Sequence, residues 1–149
     1  MSKTIVRNKK AYFDYEIIDE IEAGIVLTGG EVKSIKEGKI SLKESFIKPL
    51  SNSLFLINAN ISKWVGDTTN DYDSTRSRKL LLNRKEIDNL ILKNAQQGTT
   101  IVPLCIYLKN SLVKVKIGLG KGRNVAGKKK HLQERDVELD MKRDVKNIS

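Results

Sequence analysis

The side chains with the most chemistry to offer are cations, and they come in groups. Lys33, Lys36 and Lys39 recur at three-residue steps, Arg76, Arg78 and Lys79 lie close together, and Lys114 and Lys116 alternate with Val113, Val115 and Ile117. Ammonium and guanidinium groups in such sets neutralise successive phosphates. The balance of the chain agrees. Its 28 Lys and Arg against 18 Asp and Glu give a net charge of +10 over 149 residues, which points to an acidic partner, nucleic acid or an anionic surface. Aromatic residues make up only 5% and no RNP1-type motif is present. Recognition of a folded RNA by its shape therefore fits better than stacking of unpaired bases.

Other chemistry is poorly supplied. One cysteine, Cys105, and one histidine, His131, do not make a zinc site, and a single thiol allows no intrachain disulfide, as expected of a reducing compartment. No metal and no cofactor is expected. Cys105 lies within TTIVPLCIYL and reads as a small buried hydrophobe, and the only His lies too far toward the C-terminus to join a Ser-His-Asp set. Gly118-Leu119-Gly120-Lys121-Gly122 superficially resembles a phosphate loop, but Gly122 and Arg123 follow its lysine where the Walker pattern needs Ser or Thr. It reads as a flexible exit from a last strand. Asp71 and Asp73 read as solubilising residues of a polar loop, so the chain is not expected to be an enzyme. No apolar run approaches the roughly 20 residues of a membrane span, and MSKTIVRNKK has no signal-like apolar region; neither a membrane nor secretion is expected.

These cations need elements to hold them. Residues 1–10 are basic and read as loose, and residues 11–27 as a long bent strand or hairpin with a bulge near Gly24. Gly29-Gly30 allows a sharp turn into a short helix, with Val32 and Ile35 facing inward, Lys33 and Lys36 outward, and Gly38 at its end. Residues 44–50 and 54–61 read as two strands. Asn83, with Glu86 three positions on, predicts a capped helix running to Gln97 and stopped by Gly98. Residues 99–108 and 112–119 are the clearest strands, a hairpin across Lys109-Asn110-Ser111. After Gly122 the core pattern stops. About six strands and short helices predict a mainly β fold, an OB-like closed antiparallel β-barrel with flanking short helices, over residues 1–122. A basic C-terminal tail, 123–149, is expected to be mobile alone and to order on a partner.

Three ordered blocks resemble the SmpB family, the bacterial small protein B that binds transfer-messenger RNA (tmRNA, also called SsrA RNA). Asn8-Lys9-Lys10-Ala11, Asp14-Tyr15, Glu22-Ala23-Gly24-Ile25, Gly30-Glu31-Val32-Lys33-Ser34-Ile35 and Gly38-Lys39 are similar to its opening and signature block. Arg76-Ser77-Arg78-Lys79-Leu80-Leu81-Leu82-Asn83 with Glu86-Ile87 resembles the second, and Val102-Pro103-Leu104, Tyr107, Lys114-Val115-Lys116-Ile117-Gly118 and Lys121-Gly122 the third.

The resemblance implies a cytoplasmic protein whose OB-like barrel holds the tRNA-like part of tmRNA and delivers it to stalled ribosomes for trans-translation, one copy per RNA. Its partners would be tmRNA and the ribosome, where it would occupy the vacant A site and the mRNA channel. Glu22, Leu81, Asn83 and Lys114 match family positions tied to RNA binding. Lys114 would meet phosphate, Asn83 a sugar or base edge, Leu81 would support packing, and Glu22 would accept from a base amine or 2′-OH or orient a basic neighbour. With them go the cations Lys33, Lys36, Arg76, Arg78, Lys79 and Lys116. The tail, with Lys121, Arg123, Lys128 and Lys129, would enter the mRNA channel and become helical there. It departs from the family pattern at Ala126-Gly127, where an aromatic or His and an Asp are usual, and at Val137, where Trp is frequent; Phe13 likewise stands in place of a frequent His. These departures bear on decoding-centre contacts, not on holding RNA. A general RNA-binding OB module in translation or ribosome assembly is the alternative, and a nuclease using Asp71 and Asp73 a third.

Overall fold

A computed structural model describes residues 2–68 and 71–123. The protein is built on a long hairpin. Strands β8 (Thr100–Lys109) and β9 (Leu112–Gly122) are joined through Asn110 and Ser111, both with positive φ, the two-residue turn whose twist matches that of paired strands. β2 (Tyr15–Ile25) runs antiparallel along β9 from Tyr15↔Gly122 to Gly24↔Lys114, and β1 (Ser2–Arg7) runs along β8. Beyond β2 come β7 (Arg78–Leu81), β5 (Ser53–Ile57) and β4 (Phe46–Leu50), giving one seven-stranded antiparallel sheet in the order β1-β8-β9-β2-β7-β5-β4. β3 (Ile40–Ser41) and β6 (Asn60–Ile61) pair separately. The fold is thus mainly β and antiparallel; among the described residues, β1 and β4 are the two ends of the ladder.

Three helices lie against this sheet: α1 (Lys9–Asp14), α2 (Gly29–Lys36) and α3 (Arg84–Gln97). Each begins at a side-chain cap. Asn8 accepts from the Ala11 N–H at 3.2 Å, while Thr28/Glu31 and Asn83/Glu86 form full capping boxes, satisfying N–H groups that a helix start leaves orphaned. Gly98 ends α3 at φ +61 and Gly38 follows α2 at φ +78, left-handed values that glycine adopts without strain. The α3 helix buries Ile87 and Leu90 and is tied to β2 by Lys93 on Asp19 at 2.9 Å.

One core joins the sheet and helices. Ile35, Leu54, Leu56, Leu80, Ile106, Val115, Ile117 and Leu119 are buried in it, with Ile5 and Val6 of β1 packed alongside. A smaller cluster of Ala11, Val102 and Leu104 seats α1 on β8. Pro103, awkward inside a strand because it has no N–H to donate, sits where the β8–β9 register shifts, and Asn8 donates its side-chain amide to the Pro103 carbonyl at 2.8 Å.

Three expectations change. Residues 2–7 are not loose but form β1; as an edge strand it needs little apolar content. Residues 9–14 are helical, rather than loose to residue 10 and extended from 11, because Asn8 caps them. The Gly118–Gly122 run is ladder, not a flexible exit: a Cβ on Gly118 would lie 2.7 Å from Leu104 Cδ1, and one on Gly120 2.7 Å from Tyr15 Cβ. Gly118→Ala is expected to destabilise the protein by about 1–3 kcal/mol through overpacking, whereas Gly29→Ala, with nothing within 4 Å, should cost no stability. Chemical denaturation of the two variants checks both.

Candidate nucleic-acid interface

Strand alternation decides which cations are available. On β9, Val115 and Ile117 are buried, so Lys114 and Lys116 project from the opposite face. On β2 Ala23 is buried, so Glu22 and Gly24 share that outer face. On β7 Arg78 and Leu80 point inward and Lys79 and Leu81 outward. The register then lines up Tyr107, Lys114, Gly24 and Leu81 across four adjacent strands, with Glu22 opposite Lys116 in the next row but one. Leu81 covers the bare Gly24 backbone, its Cβ 3.2 Å from where a Gly24 Cβ would stand, and is half exposed. Asn83 follows Leu81 at the end of this face. Its side-chain oxygen accepts from Glu86 N–H at 2.8 Å, which leaves the amide N–H groups to offer.

The face is not uniformly basic. Glu22 Oε1 accepts from the Tyr107 hydroxyl at 2.5 Å, and Lys109 Nζ lies 3.5 Å away. The Tyr107 hydrogen bond holds the Glu22 carboxyl below its ordinary range, against desolvation and with help from the Lys109 and Lys114 charges. Burial and the same bond push the Tyr107 hydroxyl up. Lys116 lies 3.8 Å from Glu20 and 5.9 Å from the Tyr107 ring centroid. Lys114 and Lys79 make no ion pair among the described residues. Such a surface suits a folded polyanion: cations for phosphates, a carboxylate and an amide for polar edges, and a leucine platform between them.

Arg78 leaves the interface. Its sequence context places it on RNA, yet it is fully buried. Its Nη2 and Nε donate to Glu31 Oε2 at 2.6 and 2.8 Å, Nη1 to the Ala59 carbonyl at 2.7 Å and Nη2 to the Ser74 carbonyl at 3.0 Å. Arg76 is a third exposed and is committed to both oxygens of the same Glu31. The physical reason for Arg78 is strand phase: on β7 it falls on the inner side and Lys79 on the solvent side. Glu31, buried at 1% exposure, also accepts from Thr28 N–H at 2.9 Å and Tyr72 hydroxyl at 3.2 Å. Burial pushes its carboxyl up, but the Arg76, Thr28 and Arg78 hydrogen bonds and the Arg78 charge outweigh that and hold it at about 2.

The ion pair ties α2 to the inward-facing Arg78 of β7, and Lys33 and Lys36 are exposed on α2 rather than on the sheet. Lys33 Nζ sits 3.9 Å from the Trp64 ring centroid, a cation–π contact. Asp73 caps its own loop, accepting from Thr75 N–H and Oγ1 at 3.0 and 3.1 Å, and among the described residues no three His, Cys, Asp or Glu side chains gather as a metal site. No described helix is long and apolar enough to cross a membrane. Lys121 is exposed on β9, and the Arg123 N–H donates to the Asp14 carbonyl at 2.9 Å. Lys128, Lys129, Ala126-Gly127 and Val137 lie outside the described residues.

Sequence reading undervalued Tyr107 and missed Lys109 as members of this face. A two-residue loop at Asn110-Ser111 sets the pairing Tyr107↔Lys114, so the hairpin signal itself held the information.

A basic antiparallel-β protein with a mixed polar and cationic outer sheet face is the class that fold and surface define. The SmpB protein family model matches residues 5–147, and the chain belongs to this family. It is 47% identical over 146 residues to the SsrA-binding protein of Oceanobacillus iheyensis, covering 97% of this chain and 94% of that one, and 48% identical over 146 residues to that of Psychrobacter sp., covering 97% and 92%. A solved structure described as "tmRNA-SmpB: a journey to the center of the bacterial ribosome" superposes with a TM-score of 0.66 at 37% identity, over 85% of this chain and 93% of that one.

The Glu31 pair makes a sharp prediction. Its carboxyl titrates at about 2 when folded against an ordinary 4.5, so its stabilisation is complete above pH 4.5 and is lost as pH falls from 4.5 through 2. Glu31→Gln leaves Arg78 buried and uncompensated and should cost about 3–5 kcal/mol near neutrality, with a flatter stability profile across that acid window. Denaturant unfolding at a series of pH values measures both.

Proposed function

We propose that this protein holds the tRNA-like part of tmRNA against the outer face of β8, β9, β2 and β7, and carries it to stalled ribosomes for trans-translation. Its relatives are named for SsrA binding, and the row Tyr107–Lys114–Gly24–Leu81, flanked by Glu22 and Lys116, is the observation that carries the reading. Glu22, Leu81, Asn83, Lys79, Lys114 and Lys116 face the RNA. Lys33 and Lys36 add field from α2, while Arg76 and Arg78 act through Glu31 and not on phosphate. The tail from residue 123, with Arg123, Lys128 and Lys129, reaches into the ribosomal mRNA channel beyond Lys121, and the protein works in the cytoplasm, one copy per RNA. It acts by binding and mimicry, with no bond made or broken by its own side chains. The sheet curls toward an OB-like barrel: Val6 near one edge and Ile47 at the other join the same core.

Affinity for the tRNA-like part of tmRNA should fall linearly in log–log terms with salt, and Lys114→Ala should lower that slope by about 0.7–0.9. Truncation after Gly122 should spare RNA binding yet abolish peptide tagging on stalled ribosomes in vitro. Equal affinity for tmRNA and for random RNA of the same length would favour the general RNA-binding module instead.

A further inference from the structure

A carboxylate among lysines is a poor phosphate ligand, since it repels the phosphate and draws charge from the cations beside it. Its position is nonetheless fixed. The Glu22 Oε1 atom is engaged by the Tyr107 hydroxyl at 2.5 Å and faced by Lys109 at 3.5 Å, while Oε2 takes no hydrogen bond among the described residues. Tyr107 is itself held: its ring is buried, Lys116 lies 5.9 Å from its centroid, and the β8–β9 ladder pairs it with Lys114. The side chain that grips Glu22 is thus buried and placed by the ladder, whereas exposed carboxylates ordinarily sample several rotamers.

We propose that Tyr107 is a positioning residue that presents Oε2 of Glu22 to a hydrogen-bond donor on the RNA, with Lys114 set to take a phosphate of the same region. The donor is an exocyclic base amine or a 2′-hydroxyl, the donors that base-paired RNA still offers to a carboxylate. The lysines supply sequence-independent attraction, and Glu22, through Tyr107, supplies discrimination. RNA that offers no donor at that point leaves a fixed anion facing it, which penalises the wrong partner. This inference rests on the RNA-holding role proposed above.

The test compares wild type, Tyr107→Phe, Glu22→Gln and the double variant for binding to the tRNA-like part of tmRNA and to random RNA of equal length, at several salt concentrations. Tyr107→Phe keeps the ring and removes only the hydroxyl. It should lower affinity for the tmRNA piece about tenfold, the loss of a hydrogen bond to a charged group, with little change for random RNA and an unchanged salt slope. The double variant should be no weaker than Glu22→Gln alone. In the free protein, an NMR titration of the Glu22 carboxyl should move up toward its ordinary value in Tyr107→Phe. Where that variant disturbs folding, Glu22→Asp, which draws the carboxylate back by one methylene, should give the same selective loss. Deoxy substitution of the RNA that removes the difference between wild type and Glu22→Gln identifies a 2′-hydroxyl donor; replacement of guanosine by inosine, adenosine by purine riboside or cytidine by its 4-deamino analogue that does so identifies an amine. Equal losses on both RNAs, multiplying losses in the double variant, or a difference that survives all of these RNA modifications overturns the proposal. A wild-type protein without preference for tmRNA would overturn the wider reading, and the Glu22 titration, which needs no RNA, would still report on Tyr107.

Discussion

The buried pairing of Glu31 with Arg78 is the constraint on which the rest of the surface depends. Two charges withdrawn from water are tolerated only when their remaining hydrogen-bonding capacity is met. Here Arg76, Tyr72 and the Thr28 N–H complete the carboxylate, while the Ala59 and Ser74 carbonyls complete the guanidinium. Those partners come from α2, the β5–β6 connection and the loop before β7, so one ion pair fixes three segments together. It also fixes the phase of β7. A strand alternates faces with a period of two, and a slip of one residue exchanges them. With Arg78 locked inward, Lys79 and Leu81 must face outward, and Leu81 must land on Gly24. This outer face is therefore set from inside the protein.

Much of the fold was legible where the physics is local. Asn83 and Glu86 fix the start of α3 and Gly98 its end, because caps are made within one turn. The β8–β9 hairpin and its lysine-bearing face follow from strict alternation. The long-range terms were not legible. Arg78 looks like one more exposed cation in a basic run, and only a partner 47 positions away makes it a core residue. Glu31 serves both as the N3 member of a capping box and as that partner, and only the first role has a local signature. Gly118 and Gly120 look like a flexible run because glycine's usual signals concern turns, whereas here the bare backbone makes room for Leu104 and Tyr15 from other strands. Edge strand β1 failed differently: with one side of its backbone open and a polar surface, it carries little of the apolar pattern by which strands are read.

The two basic regions differ in how their charges are held. On α2, Lys33 lies over Trp64, and the indole lies flat on Gly66, where a Cβ would sit 2.3 Å from the ring. A cation held on an aromatic face keeps its charge but loses freedom, so it can contribute field without paired contacts. On the sheet face, spacing comes from the ladder itself. Lys114 and Lys116 stand two residues apart on one strand, close to the roughly 7 Å of two strand residues, a distance on the scale of neighbouring phosphates along an RNA strand.

Glu31 and Glu22 are the same chemical group put to opposite uses, and the difference is visible in their unspent hydrogen-bonding capacity. Both oxygens of Glu31, itself buried, are met by protein donors, so its charge is answered from within the protein. Glu22 has one oxygen engaged by Tyr107 and the other without a hydrogen bond among the described residues, on a surface otherwise suited to phosphates. If attraction to a polyanion were the only requirement, replacing this carboxylate by a neutral group would improve the surface, because every lysine around it would act undiminished. A face that retains an oriented anion gives up some of that attraction, and on the proposal made above it gains in exchange a contact that phosphate cannot make, with the polar edges of the RNA.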